Sequence, residues 1–389
     1  MLVGALERMP ILNRVGPSLR ILFAAAGGHG HLQPLLPLAQ HAVRGGHDVL
    51  VTGAASLAAS VTAKGLTFTP TGPDLIRIHA PLVIYDVETE RQVVADHFVA
   101  RLGRARAASV LELIRSWRPH VIVRDEVDFG AAVAAEAAGV PHAVVIVIGA
   151  GQFILPELVN DPLDDLLLEF GVRDVAAADV LHRHLTLTPF PTSFRSPADP
   201  LRGNVVGYQV PRPARATSSE RTVYVTLGTI FNTESGDLLR TATLGAAECP
   251  SVDRVVVAAG DHVDLDWLGP LPDQIDVRQF VQQEAVLATC DAVISHAGSG
   301  TVLGALKQAL PTVSLPMGAD QQLNADRLTE LGLGVSLRAD SVDVDQVRNA
   351  LAVVLASTSM RRRLGAMGAE ISAAGSLTDA LRAVEALAT

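Results

Sequence analysis

Chemistry in this chain concentrates in two histidine–glycine clusters. One is Gly27-Gly28-His29-Gly30-His31-Leu32-Gln33-Pro34, near the start; the other is Ser295-His296-Ala297-Gly298-Ser299-Gly300-Thr301. An imidazole, with an unperturbed pKa of about 6.5, exchanges protons near neutral pH. Around the second cluster, Asp291-Ala292-Val293-Ile294 reads as a short buried strand. Residues 302–310 carry apolar positions at helical spacing, so the cluster sits on a strand-to-helix turn. The free N–H groups of a helix start favour an anion, phosphate above all. Gly298 and Gly300 allow close approach of backbone to ligand, Thr301 adds a hydroxyl, and His296 is placed to donate to the same anion. The competing reading is a glycine-rich turn with a capping threonine and a partly buried histidine.

The flanks extend the ligand reading. Thr312-Val313-Ser314-Leu315-Pro316 is a second strand, followed by Gly318-Ala319-Asp320-Gln321-Gln322. Parallel strands place their following loops at one sheet edge, where open α/β sheets bind ligands. Asp320 and Gln321 are thus expected to face the crevice of His296, and a carboxylate beside an amide suits the vicinal hydroxyls of a sugar. Upstream, Val277-Arg278-Gln279-Phe280-Val281-Gln282-Gln283 puts one aromatic at a strand end, available to stack on a base.

Residues 280–322 resemble the donor-binding signature of GT-B glycosyltransferases of the UDP-glycosyltransferase superfamily, and in particular the bacterial antibiotic and natural-product tailoring enzymes. Phe280, Val281, Gln283, His296, Gly298, Ser299, Gly300, Thr301, Pro316, Asp320 and Gln321 lie in that signature. The resemblance implies two doubly wound, Rossmann-like α/β domains facing a central crevice. It also implies a nucleotide-sugar donor and no cofactor. One position departs: Gly304 stands where many members carry a glutamate that grips the nucleotide ribose. A hydroxyl-specific site rejects analogues lacking the hydroxyl, so losing that carboxylate favours a thymidine-diphosphate (TDP) sugar, a deoxysugar, with Phe280 stacking on thymine.

Composition describes a globular protein. The 389 residues are 49% hydrophobic and 19% charged, enough for two cores. A net charge of −10 disfavours nucleic acid and anionic membranes as partners. Cys249 and Cys290 are the only cysteines, so neither a disulfide framework nor a cysteine metal site is supported. Residues 1–20 read as a loose extension without a signal-like apolar core. The apolar run 143–148 is too short to span a bilayer. The chain is expected to be soluble and cytoplasmic. Its partners are expected to be a nucleotide sugar and a small-molecule acceptor, with homodimer formation left open.

These clusters need strands to position them. Residues 20–26, 47–52 and 121–126 read as strands, with a helix over 35–43 between the first two. Gln33 occupies the third glycine place of a dinucleotide fingerprint, which weakens that reading. In the resembled family a histidine three residues before a proline is the general base, which points to His31, with His29 as rival. Its orienting acid follows the strand 121–126, pointing to Asp125, with Glu126 and Asp128 as alternatives. An acid here also reads as a helix-start residue complementing the dipole. Loop-rich stretches 67–97 and 149–184, with Tyr85, Phe98, Phe153, Pro156 and Phe170 in or beside them, are expected to shape the acceptor pocket. Phe129 and Phe153 are its expected contacts. His182 and His184 are expected at the surface.

Residues 211–220 have linker composition. They divide an N-terminal acceptor domain (1–212) from a donor domain (213–369), and a helix over about 370–389 is expected to pack back on the first. After the linker, residues 222–227 and 254–258 read as strands, and by resemblance Gly228 and Thr229 contact the donor pyrophosphate. The expected reaction is inverting: His31 takes the acceptor proton, Asp125 orients it, and His296 with its glycine turn stabilises the leaving diphosphate. A non-catalytic sugar-nucleotide-binding auxiliary protein is the alternative, and an epimerase of related fold a more distant one. Asp264-Leu265-Asp266 and Asp343-Val344-Asp345 match the metal-binding Asp-x-Asp of other glycosyltransferases, but a helix terminus with His296 and Thr229 can carry the diphosphate charge without an ion. Activity is therefore expected to persist in excess chelator; loss of activity restored by magnesium or manganese would return Asp264-Leu265-Asp266 to the site.

Overall fold

The structure, a computed structural model, describes residues 17–74, 86–216, 218–228, 235–260 and 265–388. Two parallel sheets form its frame. The first contains β1 (Arg20–Ala24), β2 (Asp48–Gly53), β3 (Thr67–Pro70), β4 (Val121–Asp125), β5 (His142–Val145), β6 (Leu185–Thr188) and β7 (Val205–Gly207), in the order β3-β2-β1-β4-β5-β6-β7. The second contains β8 (Thr222–Thr226), β9 (Arg254–Ala258), β10 (Ile275–Arg278), β11 (Ala292–Ser295), β12 (Thr312–Ser314) and β13 (Gly334–Ser336), in the order β10-β9-β8-β11-β12-β13. The central strands are nearly continuous apolar runs because helices cover both faces of each sheet. Ile21, Leu22 and Phe23 of β1 and Val293 and Ile294 of β11 are completely buried.

Strand order decides where ligands go. In each sheet the chain winds one way from a founding strand and then returns to its other side. The crevice at that reversal, beyond the carboxyl ends of the strands, is where doubly wound sheets bind ligands. The reversal falls between β1 and β4 in the first sheet and between β8 and β11 in the second. His31 and Asp125 follow β1 and end β4; Gly228 and His296 follow β8 and β11.

The two layers exchange elements. The last helix, Leu377–Glu385, inserts Leu377, Ala380, Leu381 and Val384 into the core of the first sheet. His47 Nε2 lies 2.8 Å from Glu385 Oε1 on that helix. In return Ile146, Ala150, Phe190 and Phe194 belong to the core of the second sheet. Arg327 fixes that crossing by donating to the carbonyls of Phe194 and Ser193, each at 2.9 Å.

Two expectations change. The stretch 149–184 contains the helix Pro156–Glu169, which starts on a proline and carries Pro162 within it. Proline at a first helical position costs no hydrogen bond, so what reads as a loop signal here marks a helix start. The tail is two helices, Thr358–Ala373 and Leu377–Glu385. They are separated where Gly375 pairs with the backbone of Gly207 and Gln209. Among the described residues no helix is long and apolar enough to cross a membrane.

Candidate active site

Three acids lie at or just after the end of β4, and each has a different partner. Asp125 is completely buried; its Oδ2 accepts from the Ala26 N–H and its Oδ1 from the Val127 N–H, both at 2.7 Å. Its Oδ1 also lies 3.6 Å from His31 Nδ1, just beyond ordinary hydrogen-bond length. Catalytic contacts are often this long before substrate tightens them. Glu126 accepts from the amides of Val147 and Ile148 and sits 3.5 Å from Arg195. Asp128 is clamped by buried Arg106, whose Nε donates at 2.9 Å, and caps the helix Phe129–Ala138 through the Ala131 N–H. Asp125 is therefore the acid of the three that faces His31. The rival His29 points to Ser60 Oγ at 2.7 Å.

A glycine that drew no attention in the sequence makes room for His31. A β-carbon on Gly27 would stand 2.0 Å from the His31 ring, whereas Gly28 and Gly30 have open space. The first turn thus needs glycine at 27, against which the imidazole lies flat. Phe98, on the π-helix Val94–Gly103, lies 6.3 Å from the His31 ring centre.

The donor turn repeats this construction. A β-carbon on Gly228 or Gly298 would come within 2.6 Å or 2.4 Å of His296 Nε2, so the ring is lodged between two glycines. Gly228 has φ +79°, a left-handed conformation that suits glycine. Burial lowers His296 to about 4, opposed by the Thr226 backbone, so the ring is neutral at pH 7 and offers one N–H. Gly298 caps the helix Ser299–Lys307, Gly300 is exposed, and Thr301 Oγ1 donates to Gln283 Oε1 at 3.1 Å. Phe280 is 74% exposed beside half-buried Val281, an open face for stacking. Thr229, Tyr85 and Asp264 lie outside the described residues.

Other expected contacts are occupied. Ser299 Oγ donates to Asp320 Oδ2 at 2.6 Å, and Asn324 Nδ2 donates to the same oxygen at 2.8 Å. Gln321 is 4% exposed and its Oε1 accepts from the amides of Met317 and Gly318. Its carbonyl therefore closes its own loop instead of facing a sugar. Phe129 has no exposed surface and Phe153 only 8%; both pack in the N-terminal core. Phe129 thus presents no surface to an acceptor, because the first turns of the helix it opens are buried. His182 and His184 are half-buried, not superficial.

A second cluster lies at the opposite edge of the first sheet. Glu136, His142 and His184 bring ligand atoms within 4.8 Å of one another. Yet Arg124 Nε donates to His142 Nδ1 at 3.4 Å and Arg183 Nη1 pairs with Glu136 at 2.9 Å. Metal-bound histidines normally donate their second N–H to an acceptor. Here that nitrogen meets a guanidinium, so the surroundings suit an ion-pair network.

Residues 243–387 match the family described as erythromycin biosynthesis protein CIII-like, C-terminal domain. The chain is 26% identical to the 3-alpha-mycarosylerythronolide B desosaminyl transferase of Saccharopolyspora erythraea, over 95% of this chain and 98% of that protein. It is 28% identical to the TDP-daunosamine transferase DnrS of Streptomyces peucetius, over 91% and 93% of the two chains. CalG4, the calicheamicin glycosyltransferase, shares the fold at a TM-score of 0.78 and 26% identity, over 95% of this chain and 98% of that one. The chain has the GT-B fold and resembles bacterial natural-product glycosyltransferases over nearly its whole length.

In this GT-B chain the charge around His31 has a definite sign. Burial lowers its pKa most strongly, but the carboxylates of Asp125, Asp320 and Glu126 together leave it raised above 6.5. The basic, neutral imidazole then predominates only above that raised value. A reaction using His31 as its base should accelerate with pH along a limb lying above 6.5. Replacing Asp125 by Asn removes the nearest charge and leaves the burial, so the limb should move to lower pH. A pH–rate profile of kcat/KM tests this, and an unmoved limb would take Asp125 out of the role.

Proposed function

We propose that this chain is an inverting glycosyltransferase that moves a sugar, a deoxysugar, from TDP to a small natural-product acceptor such as a polyketide. Attachment is to a hydroxyl, with carbon as the other acceptor atom in view. The observation that carries the reading is the base–acid pair His31–Asp125, which meets the donor loop across the crevice through the charge of Asp320. A partly exposed histidine backed by a buried carboxylate at the crevice is what a proton-accepting site requires, which argues against the auxiliary alternative. The activities for which the relatives are named, desosaminyl and TDP-daunosamine transfer, support a TDP-deoxysugar donor.

The mechanism follows from the placement. His31 Nδ1 faces Asp125, leaving Nε2 to take the acceptor proton. As that proton leaves, the acceptor oxygen forms a bond to the anomeric carbon. The bond from that carbon to the diphosphate oxygen breaks on the opposite face. Negative charge grows on the leaving TDP, where the N–H groups opening the helix Ser299–Lys307 and the neutral His296 receive it. With these donors in place no metal ion is needed for the departure.

His31→Ala should lower turnover by roughly two to four orders of magnitude, the usual range for a general base. Donor affinity should survive, because His31 belongs to the other sheet; collapse of donor binding with intact turnover of bound donor would overturn the assignment. The donor base gives a separate test. A β-carbon at Gly304 would lie 2.6 Å from Leu287 Cδ1, so a glutamate there needs space made for it. Uridine and thymidine diphosphates of one sugar should therefore be compared with the parent and with a Gly304→Glu/Leu287→Ala double variant. The parent should favour thymidine and the variant should shift toward uridine, whereas a parent with a strong uridine preference would exclude a TDP donor.

A further inference from the structure

We propose that Asn324 is a positioning residue that joins the donor loop to the N-terminal domain, so that Asp320 is set in place toward His31 only when the two domains are seated together. The inference rests on the glycosyltransferase reading above.

Asn324 has no exposed surface, and its amide is used on both sides. Oδ1 accepts from the Ala150 N–H at 3.0 Å, across the domain boundary. Nδ2 donates to the Ala297 carbonyl at 3.0 Å, to Ser299 Oγ at 3.0 Å and to Asp320 Oδ2 at 2.8 Å. The orientation of the amide is dictated: a backbone N–H lies on one side, a carbonyl and a carboxylate on the other. Neither aspartate nor leucine at this position satisfies both sides.

The neighbouring contact runs the same way. Ser299 Oγ accepts from the Gly149 N–H at 2.9 Å while donating to Asp320. Two successive amides of the N-terminal domain thus terminate on two side chains of the donor site. Those amides follow Val147 and Ile148, whose own N–H groups are held by Glu126, next to Asp125. The connection passes from the segment that orients the base to the residue expected to meet the sugar.

Asn324 also holds a strained turn. Ala297 has φ +62°, a left-handed conformation that is unfavourable for a non-glycine residue. It lies between His296 and Gly298, and Asn324 secures its carbonyl. Losing the amide frees this turn and leaves the Asp320 carboxylate held by Ser299 alone.

Asn324→Ala and Ser299→Ala separate positioning from general stability. Asp125, Asp320 and Glu126 act on His31, and Asp320 in turn acts on Glu90 of the opposite domain. An Asp320 carboxylate held by Ser299 alone is no longer fixed toward His31, which weakens one of the charges that raise the imidazole. With a TDP-sugar on which the parent turns over, Asn324→Ala should lower kcat/KM about 10- to 100-fold and move the His31 limb to lower pH. In hydrogen exchange the Ala150 amide should lose protection at least tenfold more than the central strand amides. Ser299→Ala, a milder change at a partly exposed helix start, should do the same at Gly149 with a smaller kinetic effect. Unchanged Ala150 protection, or a fall in rate with the pH limb unmoved, would reduce Asn324 to a packing residue and overturn the proposal. Absence of turnover by the parent with every nucleotide sugar would instead refute the glycosyltransferase reading.

Discussion

A carboxylate without solvent must be surrounded by donors or it will not stay ionised, and Asp125 is the place where this chain meets that demand. Desolvation of an ion costs several kcal/mol even after relaxation. The Ala26 amide at the end of β1, the Val127 amide beyond β4 and the His31 ring supply the compensation. Burial pushes the Asp125 pKa up, but these partners, His31 first, bring it below its ordinary value. The acid therefore remains charged, and its charge supports the basicity of His31. The same contacts tie the two central strands together where the sheet order reverses. The geometry of the His31–Asp125 pair and that of the sheet are one constraint.

That arrangement has a counterpart in the second domain. Each sheet places a histidine at its reversal point, and each histidine is fitted against glycine: Gly27 for His31, Gly228 and Gly298 for His296. The electrostatics differ as the roles do. His31, surrounded by carboxylates, is raised; His296, buried without a carboxylate partner, is lowered to about 4. One is suited to accept a proton and the other to donate a hydrogen bond without carrying charge. Two glycine turns of similar composition thus acquire opposite chemistry from their surroundings.

The relative placement of the domains rests on reciprocal insertion. The helix Leu377–Glu385 completes the core of the first sheet, and Phe190 and Phe194 enter the core of the second. Apolar burial on both sides resists sliding, while directional bonds from Arg327, Asn324 and Ser299 set the register. The crevice is therefore framed by elements that each belong to one domain in sequence and to the other in packing.

Sequence alone was enough for the parallel α/β architecture and the strand-to-helix turn at His296, because these depend on apolar periodicity and on residues within a few positions of one another. Between His31 and His29 it left a choice that only the contact of His29 with Ser60 and of His31 with Asp125 distinguishes. It also placed Phe280 at an exposed strand end. It pointed to Asp125 by resemblance with Glu126 and Asp128 as alternatives, since all three lie at the end of one strand; their captive partners, His31, Arg195 and Arg106, tell them apart. It assigned Phe129 to the acceptor and Gln321 to the sugar, because a residue type near a site says nothing about which way the side chain turns. Gly27 was visible only as one glycine of a cluster, and Asn324 was assigned no role. The contact that makes Asn324 matter joins residues 174 apart, and the glycine at 27 is required by a ring that returns from the following turn. Local pattern specifies elements; which polar atoms meet in a solvent-free interior is decided only when the elements have packed.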